Sequence, residues 1–361
     1  NCAVIKQSIH KTAPLRAKLI QEGTYADFMA QQHLARAKAT VGTQPFIDYA
    51  DNLYRGEISI GIPPQNFSVM LDTGSTDTWV IDARCTRCPD NSEYTKNRFN
   101  SSASSTFTPT NTPYNIPHIS SGMVASDVLN VAGLVAPEQG FGLSTDTANP
   151  FGDNAIDGVL GLGWPAISIM GVTPPMQNIL SQLDLPLFTV WLDRHAGPRE
   201  DRLGGLVTYG ALDNMNCEAQ VDYVQLSSLT YWQFPIQRFS IGSHTYNARG
   251  DAISDTGSAG IGAPASVVAG VISVTGAKLD HSSGLFALPC NGQYPDMIIT
   301  IGGRYYTVPS EDYVIDYGNG KCYLAVYEIV SAGFGPSWVL GDSWIRANCN
   351  VYDIGQKRIG Y

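Results

Sequence analysis

Two aspartates occupy the same short context in this chain of 361 residues. Asp72-Thr73-Gly74-Ser75 recurs as Asp255-Thr256-Gly257-Ser258, 183 residues later. Each copy follows a strand-like run. Each is then followed by two apolar residues and a glycine, Val159-Leu160-Gly161 at 87 residues from Asp72 and Val339-Leu340-Gly341 at 84 from Asp255. One Asp-Thr-Gly turn carries little information, but two in the same order at nearly equal separation imply two structurally similar halves.

The chemistry such a pair can do follows from its position. An Asp ending a buried strand and followed by Thr and Gly presents its carboxyl at a tight turn, where glycine lets backbone approach closely. Ser75 and Ser258 are placed to donate to the carboxyl oxygens. If the halves are related by a pseudo-twofold axis, Asp72 and Asp255 meet between them and cannot both ionise easily. They then share a proton, one acting as base toward a water and the other as acid toward an amide carbonyl. Amide hydrolysis of this kind needs no metal, cofactor or covalent intermediate. The plainer alternative is a pair of turn aspartates that merely cap backbone amides; the duplication favours the catalytic pair.

The elements that must position these residues are mostly strands. Beyond residue 45, short alternating or β-branched runs such as Glu57-Ile58-Ser59-Ile60 and Phe67-Ser68-Val69-Met70-Leu71 are separated by Gly and Pro turns, which predicts mainly β structure. Short helices are expected at Met176 to Leu183 and around Ser266 to Ile272. Residues 14 to 36 read as helix, with Pro14 suited to a first turn and Leu15, Leu19 and Ile20 forming an apolar stripe.

Composition narrows the class. With 43% hydrophobic residues the chain can bury one large or two medium cores. No apolar stretch reaches the roughly 18 residues that span a bilayer. Residues 1 to 44 carry six Lys or Arg against two acids, +4, which leaves −14 for the remainder of the −10 total. Such an acidic bulk repels nucleic acid, so an intramolecular partner suits the basic segment better. No Gly-x-Ser-x-Gly elbow and no P-loop signature occurs.

Seven cysteines are spread through the chain, Cys85 and Cys88 close together. A zinc site at that pair lacks a second pair or a paired His motif, whereas three disulfides with Cys2 left over fit an oxidising compartment. The start of the chain lacks a signal-peptide pattern, so either the protein is cytosolic or its signal has been removed; the cysteines favour removal and a secreted or lysosomal protein. Asn66-Phe67-Ser68 and Asn100-Ser101-Ser102 are possible glycan acceptors.

Over nearly its full length the chain resembles the pepsin and cathepsin D family. The resemblance rests on residues 54 to 67 before the first aspartate, Trp79-Val80 after it and Ile156-Asp157-Gly158-Val159-Leu160-Gly161-Leu162-Gly163. It extends to Tyr231-Trp232-Gln233-Phe234 and Val339-Leu340-Gly341-Asp342-Ser343-Trp344-Ile345-Arg346. The shared-proton carboxyl pair of aspartic proteases is the standard case of the coupling described above. The resemblance implies a bilobal, mainly β fold of two six-stranded lobes around a cleft, a prosegment over 1–44, and lobes over 45–212 and 213–361. It implies cleavage of extended peptides between apolar residues, with Val159 helping to line the pocket beside the scissile bond and the protein acting as a monomer. It also implies the pairings Cys290–Cys322, Cys85–Cys88 and Cys217–Cys349, the last similar to nematode members, whose sequences resemble Asn348-Cys349-Asn350-Val351-Tyr352-Asp353-Ile354. The basic front segment resembles the family's inhibitory prosegment, partly helical, with Lys38 first and Arg36 second as the cation set against the catalytic carboxyls.

One stretch departs from the pattern. The family's flap carries a Tyr in a Tyr-Gly-Thr-Gly context that packs on the Trp corresponding to Trp79. Ungapped alignment puts His118 at that Tyr and leaves the flap about three residues short by direct count; Tyr114 takes the role only under a different gap placement. A shortened flap would exclude water less completely. The alternative from another class is therefore a pepsin-like secreted binding protein of weak or no activity.

Overall fold

The computed structural model describes residues 3–11, 19–24, 54–90, 94–117, 119–147, 154–193, 202–247, 249–317, 320–329 and 335–361. Lys38, Arg36, His118 and most of the expected helix over residues 14 to 36 lie outside these residues; within that helix, Leu19 to Gln21 are helical.

The expected bilobal β fold is present. Its hydrogen-bonded ladders, however, do not divide into two sets of six: one sheet of thirteen strands runs through the N-terminal half and into the C-terminal half, and sheets of five, four and four strands complete the latter. Strand Tyr54–Ile60 shows how sequence makes the first layer, since alternate residues Tyr54, Gly56, Ile58 and Ile60 are buried while Glu57 faces out. Its neighbour Gln65–Asp72 is buried on both faces from Phe67 onward, because it lies between Tyr54–Ile60 and the parallel strand Gly158–Gly161.

The sequence repeat becomes a structural one. In the first half, Gly158–Gly161 runs parallel to the aspartate strand, pairing Asp72 with Gly161, and antiparallel to Trp79–Ile81. In the second, Trp338–Leu340 runs parallel to Gly250–Ser254 and antiparallel to Ile261–Ala263. The glycine ending each apolar triplet is required by close approach: a Cβ on Gly161 would meet the backbone of Thr76, and one on Gly341 the carbonyl of Ser258.

Strand Ile5–Lys11, inside the basic segment, is inserted between Arg202–Tyr209 and Tyr54–Ile60. The two halves also share aromatic packing, with Phe188 stacked on Tyr352 at 4.6 Å and Trp232 edge-on to both. The indole of Trp232 donates to the carbonyl of Leu162 at 3.0 Å. Helices are short, as expected: Pro175–Ile179 continues into a 3-10 turn at Leu180–Gln182, and Ala265–Thr275 ends on Gly276 in a left-handed conformation, φ 70°. Among the described residues no helix is long and apolar enough to cross a membrane.

Disulfides link Cys85 to Cys88, Cys217 to Cys349 and Cys290 to Cys322, so the zinc alternative for the first pair is overturned. Among the described residues one group of side chains has metal-ligand proximity, Cys290, Asp316 and Cys322, and two of its three members are joined in a disulfide.

Candidate active site

Asp72 ends the strand Gln65–Asp72 and Asp255 directly follows the strand Gly250–Ser254, and the two meet at the junction of the halves, each only 1% exposed. Their turns interlock. A Cβ on Gly74 would strike the carboxyl of Asp255, and one on Gly257 would lie 2.5 Å from Oδ1 of Asp72. Each glycine is therefore demanded by the opposite aspartate.

Hydroxyl and backbone donors hold each carboxyl in the same manner. Asp72 accepts from the Gly74 N–H at 2.8 Å and from the Ser75 hydroxyl at 2.5 Å; Asp255 accepts from the Gly257 N–H at 2.9 Å and from the Ser258 hydroxyl at 2.7 Å. Between the turns, the Thr73 N–H donates to Oγ1 of Thr256 at 2.9 Å and the Thr256 N–H to Oγ1 of Thr73 at 3.0 Å. The two threonine hydroxyls donate onward to the carbonyls of Ser254 and Leu71.

Burial raises the pKa of both carboxyls. For Asp255 the charge of Asp72 adds to burial and carries the pKa well above the ordinary carboxylate range, against the hydrogen bonds from Ser258 and Gly257. For Asp72 burial is opposed by Ser75, the Gly74 N–H and a hydrogen bond from Asp255. Two buried carboxyls this close hinder each other's ionisation, so the pair titrates as a unit. The site can hold one acid and one base a short distance apart, with four fixed donors behind them.

Beside the pair lies an apolar cluster that includes Met70, Trp79, Tyr114, Ile116, Ile119, Val159 and Met170. Trp79 and Val159, both singled out from sequence, pair across adjacent strands. Tyr114 belongs to the antiparallel strand pair of Thr108–Ile116 and Ser120–Val131. Its ring covers Gly142, where an added Cβ would lie 2.7 Å from it. Its hydroxyl meets Ser120 Oγ at 2.8 Å, which in turn donates to Ser144 Oγ at 2.8 Å.

Thr73, Thr256 and Tyr231 had no role assigned from sequence. The first two lie in the repeated motif itself, where a second threonine at the same place was the available signal. The pKa of Tyr231 is raised by burial and then by the charges of Asp255 and Asp72, which puts its hydroxyl within electrostatic reach of the pair. Its only sequence signal was membership of the Tyr-Trp-Gln-Phe stretch.

Comparison with known proteins agrees with this geometry. Residues 53–361 match the family described as eukaryotic aspartyl protease. The chain is 48% identical to aspartic protease 1 of Caenorhabditis elegans, over 100% of this chain and 95% of that protein. It is 40% identical to aspartic protease 17 of the same organism at the same coverage, and 31% identical to pepsin A of Rhinolophus ferrumequinum over 99% of this chain and 95% of the relative. With a duplicated aspartate turn at the centre of a bilobal β fold, the chain belongs to the eukaryotic aspartyl protease family and is an aspartic-type endopeptidase.

Proposed function

We propose that the chain is the precursor of an acid endopeptidase that cuts between apolar residues, with Asp72 and Asp255 as its catalytic pair. The observation that carries this is the reciprocal fit of the two turns, each glycine abutting the other aspartate. Ionised Asp72 takes a proton from a water held between the carboxyls as that water attacks the scissile carbonyl carbon. Protonated Asp255 donates to the carbonyl oxygen as it becomes tetrahedral. When the C–N bond breaks, the departing amine takes up a proton and the pair returns to its singly protonated form. Ser75 and Ser258 keep the carboxyls oriented, and the cluster of Trp79, Tyr114 and Val159 supports a preference for apolar side chains.

Residues 1–44 act as an intramolecular inhibitor, followed by lobes over 45–212 and 213–361. Support comes from the +4 charge of that segment against −14 for the rest and from a family match that begins only at residue 53. Further support is the seating of Ile20 on Tyr317 and Tyr323. Lys38, or else Arg36, supplies the cation set against the pair. Acid loosens this arrangement by protonating carboxylates that attract the segment. Three disulfides support a secreted or lysosomal destination, and Asn66 and Asn100, both exposed, are the glycan acceptors. The enzyme works as a monomer on peptide or protein substrates.

The test is digestion of a denatured protein at acid pH by the purified precursor, with Asp72→Asn as control and a statine peptide as inhibitor. Cleavage that Asp72→Asn abolishes and statine blocks is expected. No cleavage after removal of residues 1–44 would overturn the proposal in favour of a binding protein.

A further inference from the structure

Five residues beyond Asp72 in the chain, Asp77 is a buried carboxylate with no place in the mechanism above; it is 5% exposed. Among the described residues no Lys or Arg pairs with it. Its partners all come from one segment across the site. Ser168 Oγ donates to Oδ1 at 2.6 Å, the Ile169 N–H to Oδ2 at 2.7 Å, and the Met170 N–H lies 3.4 Å from both oxygens. The Ser168 hydroxyl also accepts from the Val172 N–H at 3.2 Å. A buried carboxylate whose partners, among the described residues, are all donors of one loop fixes that loop, because removing it leaves those part-buried donors without their common acceptor.

What the loop positions is apolar. Ile169 is turned outward, 47% exposed, while Met170 is 8% exposed and packs in the cluster with Trp79, Tyr114 and Val159. The Met170 Cε and the Tyr114 ring both crowd the space over Gly142, so Met170 and Tyr114 share one wall.

We propose that Asp77 is a positioning residue for substrate selection. It clamps residues 168–170 so that Met170 limits the apolar pocket formed with Val159 and Trp79, and thereby sets which side chain is accepted beside the scissile bond. This rests on the endopeptidase reading and on Val159 lining that pocket. Asp77 does not touch the reacting atoms; it acts through Met170.

The experiment compares acid-activated wild type, Asp77→Ala, Asp77→Asn and Ser168→Ala on two peptides that differ only in having Leu or Ala before the scissile bond. Wild type favours the Leu peptide. Asp77→Ala is expected to raise KM for the Leu peptide by about tenfold, with kcat changed far less, and to shrink the Leu-to-Ala preference in kcat/KM at least about fivefold. Ser168→Ala shifts the preference the same way by less. Asp77→Asn keeps it within about twofold, since an amide oxygen still accepts from Ile169 N–H while the amide NH₂ can donate to Ser168 Oγ. A folded Asp77→Ala enzyme with the wild-type preference overturns the proposal. If Asp77→Ala fails to fold, an unchanged preference in Ser168→Ala overturns it instead. Wild type that cuts neither peptide defeats the endopeptidase reading; wild type that cuts both while the variants keep its preference defeats only the role of Asp77.

Discussion

Thr73 and Thr256 exchange backbone-to-hydroxyl hydrogen bonds, N–H to Oγ1, at 2.9 and 3.0 Å across the junction of the two halves. Each hydroxyl also donates, to the carbonyls of Ser254 and Leu71. Both ends of the exchange are buried, so neither donor has water as a substitute. Because each threonine follows its aspartate directly, the exchange fixes the separation of the two carboxyls.

Thr256→Val removes one acceptor and one donor at this crossing while keeping the side-chain shape. Thr73 N–H and the Leu71 carbonyl lose their partner, and each unmet buried group costs about 1–3 kcal/mol. The expected result is a lower urea midpoint together with a loss of kcat of at least about tenfold, as the carboxyls drift from their paired geometry. Thr256→Ser, which keeps the hydroxyl, should retain most of both. Equal kcat for the Val and Ser variants would show that the exchange does not set the carboxyl geometry.

The raised pKa of Asp255 couples stability and activity to pH in one direction. Its folded-state pKa lies above the unfolded value, so folding binds an extra proton between the two. The stability this gives is fully present below the unfolded pKa near 3.8 and is lost as pH rises through the folded one. Activity fails over the same upper limb, because the acid partner is then ionised. Urea midpoints of wild type should therefore fall more steeply with rising pH than those of Asp255→Asn, whose amide cannot titrate. Parallel midpoint curves would contradict a raised Asp255 pKa in the folded pair.

How far the site was legible in the sequence depended on how local its signal was. Asp72 and Asp255, their serines, and the triplets ending in Gly161 and Gly341 could be read because each repeat lies in a few consecutive residues, and the triplets pair beside the aspartate strands as the repeat implies. The threonine exchange joins residues 183 apart and has no local pattern. The strand Ile5–Lys11 was concealed for a different reason. Its buried face reads Gln7, Ile9 and Lys11, which breaks the apolar alternation that marks a strand. Gln7 is accommodated there by donating to the Glu57 carbonyl and accepting from the Tyr209 hydroxyl, contacts that only the assembled sheet provides. The setting of Tyr114 depends on a hydroxyl chain through Ser120 and Ser144 on separate strands, which leaves no local pattern.

Gly74 offers a sharper probe of the catalytic geometry than removal of a carboxyl. Its φ lies outside the positive region, so Gly74→Ala meets no left-handed backbone penalty. The new methyl group would instead press on the Asp255 carboxyl. A displacement of about 1 Å at a reacting group is enough to cost about a hundredfold in rate. We expect Gly74→Ala to fold, to bind a statine peptide more weakly, and to lose kcat by that order. Gly257→Ala should do the same from the other side. Near-wild-type kcat in both variants would mean that the carboxyls are free to move apart, which the interlocked turns forbid.

Ile20 tests the link between the front segment and latency. It is 8% exposed and packs with Leu19 against Tyr317 and Tyr323, flanked by Leu285, Ala287 and Ile315, while Gln21 Nε2 donates to the Tyr317 carbonyl at 2.9 Å. Ile20→Ala removes the buried part of this contact at a cost of about 2–4 kcal/mol to the docked segment, without touching the cleft or its charges. If residues 1–44 keep the enzyme latent, this variant should become active at a higher pH than wild type and should be cut within the segment sooner on acidification. Its mature form, lacking the segment, should have the same kcat and KM as mature wild type. Activation at an unchanged pH and rate would mean that latency is held elsewhere in the segment, leaving Lys38 or Arg36 as the remaining anchors to vary.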